Sequence, residues 1–355
     1  MDSDEMFYEA IDLLKVMIST PSLSRDEKAV ADKIEEALRG FNLQPKRHHN
    51  NLWCLSPDFN PALPTVLLNA HIDTVKVADG WTHDPFTPVE DGGRIYGLGS
   101  NDDGASVVAL LTAFRTLISV PQPVNFIFLA SAEEEVSGKL GIESVLPMLP
   151  PIAVALVGEP TGMQPAVAEK GLMVLDGVAH GVAGHAARND GVNAIYKAID
   201  AVNVLRNFKF EKESAMLGPV KVSVTKIEGG RQHNIIPDLC QFLVDVRTTD
   251  AYSNADTLQL LRQAVPECTL TPHSTRLNPS SISTSHPLVQ RAVMLGKTPF
   301  GSPTLSDQAL MPFPSLKMGP GQSSRSHTAD EFITHDEIRE AIDVYVVLLN
   351  NLSLQ

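Results

Sequence analysis

Thr65-Val66-Leu67-Leu68-Asn69-Ala70-His71-Ile72-Asp73 is the stretch whose reading decides the fold of this chain. The apolar run that opens it, bounded by Pro64, reads as a strand covered on both faces, as in a parallel sheet with helices packed on either side. Ligands of such sheets collect where the strands end. Residues i and i+2 of a strand project to the same side, so His71 and Asp73 can face one site, the imidazole binding a metal and the carboxylate orienting the ring. A hydrogen-bonded loop pair is the alternative reading of the same two residues.

Composition sets the frame around that stretch. A chain of 355 residues with 43% apolar and only 20% charged residues can bury a large core, and its length points to two domains. A formal charge of −14 without any Lys/Arg run argues against a phosphate-backbone binder, so nucleic acid is not an expected partner. The opening Met1-Asp2-Ser3-Asp4-Glu5 is acidic where a secretory signal is basic and then apolar, and no uninterrupted apolar stretch of about 18 residues occurs. A soluble cytoplasmic protein without a membrane partner is the expectation. Cys54, Cys240 and Cys268 are far apart and lack a short metal spacing, which makes them buried free thiols.

Strands and helices alternate along the first half. Helical spacing runs through Phe7, Ile11, Leu14 and Met17, and Ser24-Arg25-Asp26-Glu27 reads as a capping box before Val30, Ile34 and Leu38. The loop Tyr96-Gly97-Leu98-Gly99-Ser100-Asn101-Asp102-Asp103-Gly104 precedes an apolar helix from Ala105 to about Ile118. A strand from Val124 to Ala130 ends in Ser131-Ala132-Glu133-Glu134-Glu135, and a strand from Ala153 to Val157 ends in Gly158-Glu159-Pro160. This is the rhythm of an α/β, doubly wound, mostly parallel sheet. Residues 171–276 change rhythm to strand (Met173 to Ala179), helix (Val192 to Phe208), two strands (Val220 to Ile227, Leu239 to Val246) and helix (Asn254 to Ala264), an inserted α+β domain. Residues 1–170 and 277–355 form the other domain, which resumes with a helix from Pro287 to Leu295, a strand from Ser315 to Met318 and a closing helix from Asp336 to about Leu352.

Several metal-capable side chains fall at strand ends or in adjoining loops. Asp102 lies in a glycine-flanked loop and could bridge two cations, although a helix cap is the plainer reading of Asp102 or Asp103. Glu134 and Glu135 follow a core strand; on an extended chain they point opposite ways, one to bind metal and the other to hold a water. Glu159 terminates a strand that Pro160 prevents from pairing further. His327 sits in the small-residue loop Gly319-Pro320-Gly321-Gln322-Ser323-Ser324-Arg325-Ser326-His327, where an isolated histidine is ordinarily a surface residue. Two histidines with a set of carboxylates make a mixed nitrogen and oxygen shell, which favours zinc, with cobalt or manganese as substitutes.

With these residues assembled, the chain resembles the dinuclear-zinc amidohydrolase and peptidase family of acetylornithine deacetylase and succinyl-diaminopimelate desuccinylase, over nearly its whole length. The motifs that carry the resemblance are Asn69-Ala70-His71-Ile72-Asp73-Thr74-Val75, Tyr96-Gly97-Leu98-Gly99-Ser100-Asn101-Asp102, Ala132-Glu133-Glu134-Glu135, Val157-Gly158-Glu159-Pro160-Thr161 and His327-Thr328-Ala329-Asp330-Glu331. The resemblance implies that Asp102 bridges two zinc ions, that His71 and Glu159 complete one site, and that Glu135 and His327 complete the other. It implies Glu134 as general base, Asp73 as the residue orienting His71, and His185 in Gly184-His185-Ala186-Ala187 as an oxyanion donor reaching the partner subunit of a homodimer; residues 1–170 and 277–355 would be the metal-binding catalytic domain and 171–276 the inserted dimerisation (lid) domain. Asn234 and Arg247 look like substrate-facing positions, with a turn cap and a surface ion pair as the alternatives. One departure stands out: Asp102-Asp103-Gly104-Ala105 replaces the frequent Asp-x-Lys-Gly.

The implied reaction is metal-dependent hydrolysis of an N-acyl amino acid, nearest the branch that converts N-acetylornithine to ornithine and acetate in arginine biosynthesis. N-Succinylornithine, N-acetylcitrulline, succinyl-diaminopimelate and small dipeptides are the alternative substrates, and Arg325 is a candidate contact for a second carboxylate. A two-metal phosphatase would show more histidine ligands and a basic phosphate grip. An inactive metal-binding protein would have no use for Glu134 beside Glu135.

Overall fold

The computed structural model describes residues 3–188 and 190–354, so Met1 and Asp2 of the acidic start lie outside the described residues. Two units emerge, one of Met1–Val167, Ser281–Phe300 and Ser306–Gln355, the other of Ala168–Ser280 and Gly301–Leu305. In chain order the elements that matter here are α1 (Ser3–Ile18), α2 (Lys28–Gly40), β1 (Lys46–His48), β2 (Asn51–Leu55), β3 (Thr65–His71), α3 (Ala105–Leu117), β4 (Asn125–Ser131) and β5 (Val154–Val157). The second unit supplies β6 (Gly171–His180), α4 (Ala194–Asn207), β7 (Lys221–Gly229), β8 (Leu239–Thr248), α5 (Asn254–Ala264) and β9 (Cys268–Pro272). The first unit then resumes with α6 (Pro287–Met294), β10 (Ser315–Lys317) and α7 (His335–Leu349).

The first unit is the α/β layer structure that the opening stretch implies. Its central strands lie in the order β1-β2-β4-β3-β5-β10. The pairs β3 with β4, β3 with β5 and β5 with β10 are parallel, and the β1–β2 hairpin adds an antiparallel edge. Every residue of β3 and β4 is buried, and successive residues serve opposite faces, as the pleat requires. Val66, Leu68, Ala70, Phe126 and Phe128 pack with residues of α1, α2, α3 and α7 in one core cluster, whereas Leu67, Ile127 and Leu129 join Ile142 and Val145 in another. Burial on both faces is why these strands read as unbroken apolar runs.

Register then aligns the strand ends. His71 stands opposite Ser131, while Asn69 stands opposite Val157, so the segments leaving β3, β4 and β5 emerge at one edge of the sheet.

The capping-box reading of Ser24 and Glu27 is corrected. Helix α2 begins at Lys28 with Glu27 as N-cap and no side-chain cap bond, because both side chains are used elsewhere: Ser24 Oγ donates to Asp73 Oδ2 at 2.7 Å, and Glu27 accepts from Arg25, Asn50 and Glu133. A true capping box closes α7 instead, where Thr334 Oγ1 accepts from Glu337 N at 3.2 Å and the Glu337 carboxylate accepts from Thr334 N at 3.0 Å.

The second unit carries an antiparallel sheet in the order β7-β8-β6-β9. Met173, Leu175, Phe242, Val244 and Leu270 from this sheet share a core cluster with Ala194, Ala198 and Leu205 of α4 and with Leu258 and Leu261 of α5. Gly177 makes room for that packing, since a Cβ there would stand 2.1 Å from the Phe242 ring. All three cysteines are buried and free, as expected. Among the described residues no helix is long and apolar enough to cross a membrane.

Candidate metal centre

The segments leaving three parallel strands converge with two loops. His71 ends β3 and is buried. Its Nδ1 lies 3.0 Å from the Asp73 backbone oxygen and 3.5 Å from Asp73 Oδ1. A proton on Nδ1 satisfies that carbonyl and leaves Nε2 as the coordinating nitrogen. Nε2 points at Asp102 Oδ1, 3.1 Å away, and lies 4.0 Å from Glu134 Oε2. Asp73 therefore faces the ring with both its backbone oxygen and its side chain. The carboxylate mainly accepts the backbone N–H groups of Glu134 and Glu135 at 3.0 and 3.1 Å.

Asp102 uses its two oxygens separately. While Oδ1 faces His71, Oδ2 lies 3.6 Å from His327 Nε2. His327 Nε2 is also 3.0 Å from Glu135 Oε1. One carboxylate thus stands between two imidazoles. The helix-cap alternative is not what forms, because α3 has Gly104 as N-cap and no side-chain cap bond. Potential ligand atoms of His71, Glu134 and Glu159 lie within 4.8 Å of one another, as do those of His71, Asp102 and Glu135. Glu134 and Glu135 do not lie on extended chain as expected. Glu133 takes a left-handed conformation at φ 57°, ψ 22°, and a short 3₁₀ turn over Glu134–Val136 presents both side chains to the same region.

Electrostatics matches this donor set to cations. Burial pushes Glu134 well above the usual carboxyl range, and the charges of Glu159, Asp307 and Glu135 add to the shift while His71 opposes it. Burial likewise raises Glu159 strongly, against the pull of Lys317. Asp103, buried beneath the site, is pushed up to about 8 by burial, with Asp102 adding and His71 opposing. Burial lowers the affinity of His71 for a proton, but hydrogen bonds to Asp102 and Asp73 outweigh it and leave the imidazole well above its ordinary value. A crowd of buried carboxylates with imidazoles among them is a charge arrangement that divalent cations relieve, and its oxygen and nitrogen donors suit such ions.

Two buried acids escaped the sequence reading. Glu331 Oε1 accepts the N–H groups of Asn101 and Asp102, each at 2.9 Å, and Oε2 accepts Gly99 N at 3.1 Å, so one side chain ties down the loop that presents Asp102. Its carboxyl is pushed up to about 8 by burial and the Asp102 charge, against those three N–H bonds. Its place in His327-Thr328-Ala329-Asp330-Glu331 was the available signal. Asp307 accepts from Ser131 Oγ at 2.6 Å, and burial pushes it up to about 6; only tertiary burial distinguishes it from an ordinary loop acid. Glu331→Gln places an N–H donor against the loop amides and is expected to weaken metal binding about 10- to 100-fold, the cost typical of a partner behind a metal ligand. Competition against a chromophoric chelator reads this, and unchanged affinity would show that the loop holds Asp102 without it.

The departure at Gly104 has a packing correlate. A Cβ at that position would stand 2.6 Å from the Gly99 carbonyl oxygen and 2.8 Å from Leu14 Cδ1, so this loop has no space for the lysine frequent in the resembling motif. Arg325 donates to Glu337 Oε2 at 2.8 Å and stacks over Phe332.

His185, Asn234 and Arg247 belong to the second unit. His185 pairs with Ile235 in a two-residue ladder, and its Nδ1 accepts Ala187 N at 3.1 Å, which leaves the proton of the neutral ring on Nε2. Asn234 adjoins it through its backbone oxygen, which accepts Ala186 N at 3.0 Å. Arg247 is bidentate to Asp245, with Nε to Oδ1 at 2.8 Å and Nη2 to Oδ2 at 3.0 Å, the ion pair that was the alternative reading.

Residues 67–351 match the model of peptidase family M20/M25/M40. Acetylornithine deacetylases from Klebsiella pneumoniae (strain 342) and Pectobacterium atrosepticum are each 29% identical, over 91% of this chain and 92% of theirs. Among solved structures, aminopeptidase PepT from Bacillus cereus superposes with a TM-score of 0.76 at 17% identity, over 99% of each chain. A dinuclear metal-binding peptidase of the M20 family from Bacillus subtilis superposes at 0.73 and 16%, over 98% of each. A match across most of the length, joined to converging histidines and carboxylates, leads to one conclusion: the chain belongs to peptidase family M20/M25/M40 and is a metal-dependent hydrolase.

Proposed function

We propose that this hydrolase is a zinc-dependent deacylase that converts N-acetylornithine to ornithine and acetate, acting in arginine biosynthesis in the cytoplasm. The observation that carries the reaction class is Asp102, whose two carboxylate oxygens face His71 and His327 with Glu134 beside them. The substrate follows the names of the bacterial relatives. Asp102 is the residue that would serve both ions; His71 and Glu159 would hold one with it, and Glu135 and His327 the other. Two zinc ions, with cobalt or manganese as substitutes, would acidify a water and polarise the scissile amide carbonyl.

The protein's own groups do the rest. Glu134 takes the proton of the attacking water and returns it to the departing amine. Asp73 keeps the His71 ring and the Glu134–Glu135 amides in place. His185, with its proton fixed on Nε2 by the Ala187 contact, donates to the carbonyl oxygen as charge develops there. In this reading His185 acts in the site of the partner subunit of a homodimer, and the exposed Tyr196, Ile199, Ile227 and Ile235 of the second unit support a surface that a second copy covers. Asn234 faces substrate, and Arg247 takes the substrate carboxylate by exchanging its Asp245 pair for it.

A panel of N-acetyl and N-succinyl amino acids and small dipeptides, assayed for amine release by zinc-loaded protein, tests the proposal. N-Acetyl-L-ornithine is expected to show the highest kcat/KM. Preference for N-succinylornithine, N-acetylcitrulline, succinyl-diaminopimelate or a dipeptide would overturn the substrate and keep the reaction class. No release from any compound would overturn both.

A further inference from the structure

Four consecutive backbone amides at the end of β4 are each held by a side-chain oxygen. Ala132 N donates to Asn51 Oδ1 at 2.9 Å, Glu133 N to Glu27 Oε1 at 3.3 Å, Glu134 N to Asp73 Oδ1 at 3.0 Å and Glu135 N to Asp73 Oδ2 at 3.1 Å. The first two acceptors come from elements outside the metal centre: Glu27 from the turn before α2, and Asn51 from the start of β2. Both are fully buried.

Each acceptor is itself fixed. Glu27 also accepts from Arg25 N and from Asn50 Nδ2, the latter at 2.9 Å. Asn51 Nδ2 donates to the carbonyls of His48 at 3.0 Å and Leu140 at 2.7 Å, so it grips the acid segment from both sides. The Glu133 side chain closes the loop by accepting Leu140 N at 3.2 Å. This scaffold holds Glu133 in its left-handed conformation, one that a non-glycine residue adopts only when its surroundings dictate it. That turn sets where Glu134 and Glu135 point.

We infer that Glu27 and Asn51 are positioning residues for Glu134, acting through the Ala132 and Glu133 amides; the inference rests on the reading of Glu134 as the base. A reacting group displaced by about 1 Å can lose roughly 10²-fold in rate. Truncating Glu27 removes the acceptor of a buried amide, so the chain at Glu133 relaxes and the base moves, while the metal ligands of the other elements stay where they are.

The test is a double-mutant cycle on the zinc-loaded full chain. Glu27→Ala, assayed at saturating zinc because Glu135 shares the turn, is expected to lower kcat about 10- to 100-fold, with KM close to wild type. Glu27→Gln, which keeps an oxygen facing Arg25 N and Glu133 N, is expected to restore most of the rate. In a Glu134→Gln background Glu27→Ala should cost nothing further, because residues that act as a unit are not additive. Should Glu27→Ala fail to fold, Glu27→Asp, which keeps the charge but withdraws the carboxylate by one methylene, is read the same way. A wild-type kcat for the truncated variant, or losses that multiply in the double variant, would overturn the positioning role. Full activity of Glu134→Gln alone would instead overturn the base assignment, so the two failures are told apart.

Discussion

Glu134→Gln is expected to lower kcat for the preferred N-acyl substrate by about 10²- to 10⁴-fold, the contribution that a positioned general base makes, without loss of bound metal. The side chain is buried, stands 4.0 Å from His71 Nε2, and is pushed well above the usual carboxyl range by burial and by Glu159, Asp307 and Glu135. Cations would relieve that crowding and leave a carboxylate that can take a proton from water and pass it to the departing amine. Glutamine preserves the size of the side chain, and the Asp73 contact is untouched because it is made by the Glu134 backbone. Steady-state kinetics with metal analysis of the same sample decides the matter. An unchanged kcat would refute the base role; a lost metal equivalent would make Glu134 a ligand, a role its place beside His71 and Glu159 also permits geometrically.

Asp102→Asn is expected to be at least as damaging and to act by another route. Asn offers one neutral oxygen where Asp102 turns a charged oxygen toward each imidazole. At least one metal equivalent should be lost, and turnover should fall by about 10²-fold or more, beyond the cost of losing a partner behind a ligand. Stability carries an independent signature. Ligand binding to the folded state alone stabilises by about 2.7 kcal/mol at a concentration 100 times Kd. Zinc should therefore raise the melting temperature of wild type clearly and that of Asp102→Asn much less. Equal shifts would place the metal somewhere other than the Asp102 carboxylate.

How much of this was legible in the sequence depends on the range of the interaction involved. Strands β3, β4 and β5 were legible because burial on both faces leaves an unbroken apolar run, and α1 and α5 because one buried stripe repeats every turn. Metal-capable residues were visible wherever an acid or histidine directly followed such a run. Ser24 and Glu27 show where local pattern misleads. Their spacing fits a capping box, yet Ser24 binds Asp73 and Glu27 binds the Glu133 amide, 49 and 106 residues away. The left-handed turn at Glu133 had no glycine to announce it. Strand β9, which ends in Pro272 and alternates with exposed threonines, gave only a weak strand pattern, and β2 went unread although Leu52-Trp53-Cys54-Leu55 is an apolar run, because so short a run does not tell strand from buried helix. Glu331 and Asp307 look like surface acids until the fold buries them.

Stepwise refilling of the metal-free protein with zinc, followed by amine release from the best substrate of the acyl amino acid panel, shows whether hydrolysis needs two cations. The expected result is a negligible rate without metal and a rise that ends at two equivalents per chain, one for each imidazole that Asp102 faces. Full activity in the metal-free protein, or a rate that saturates at a single equivalent, would contradict it.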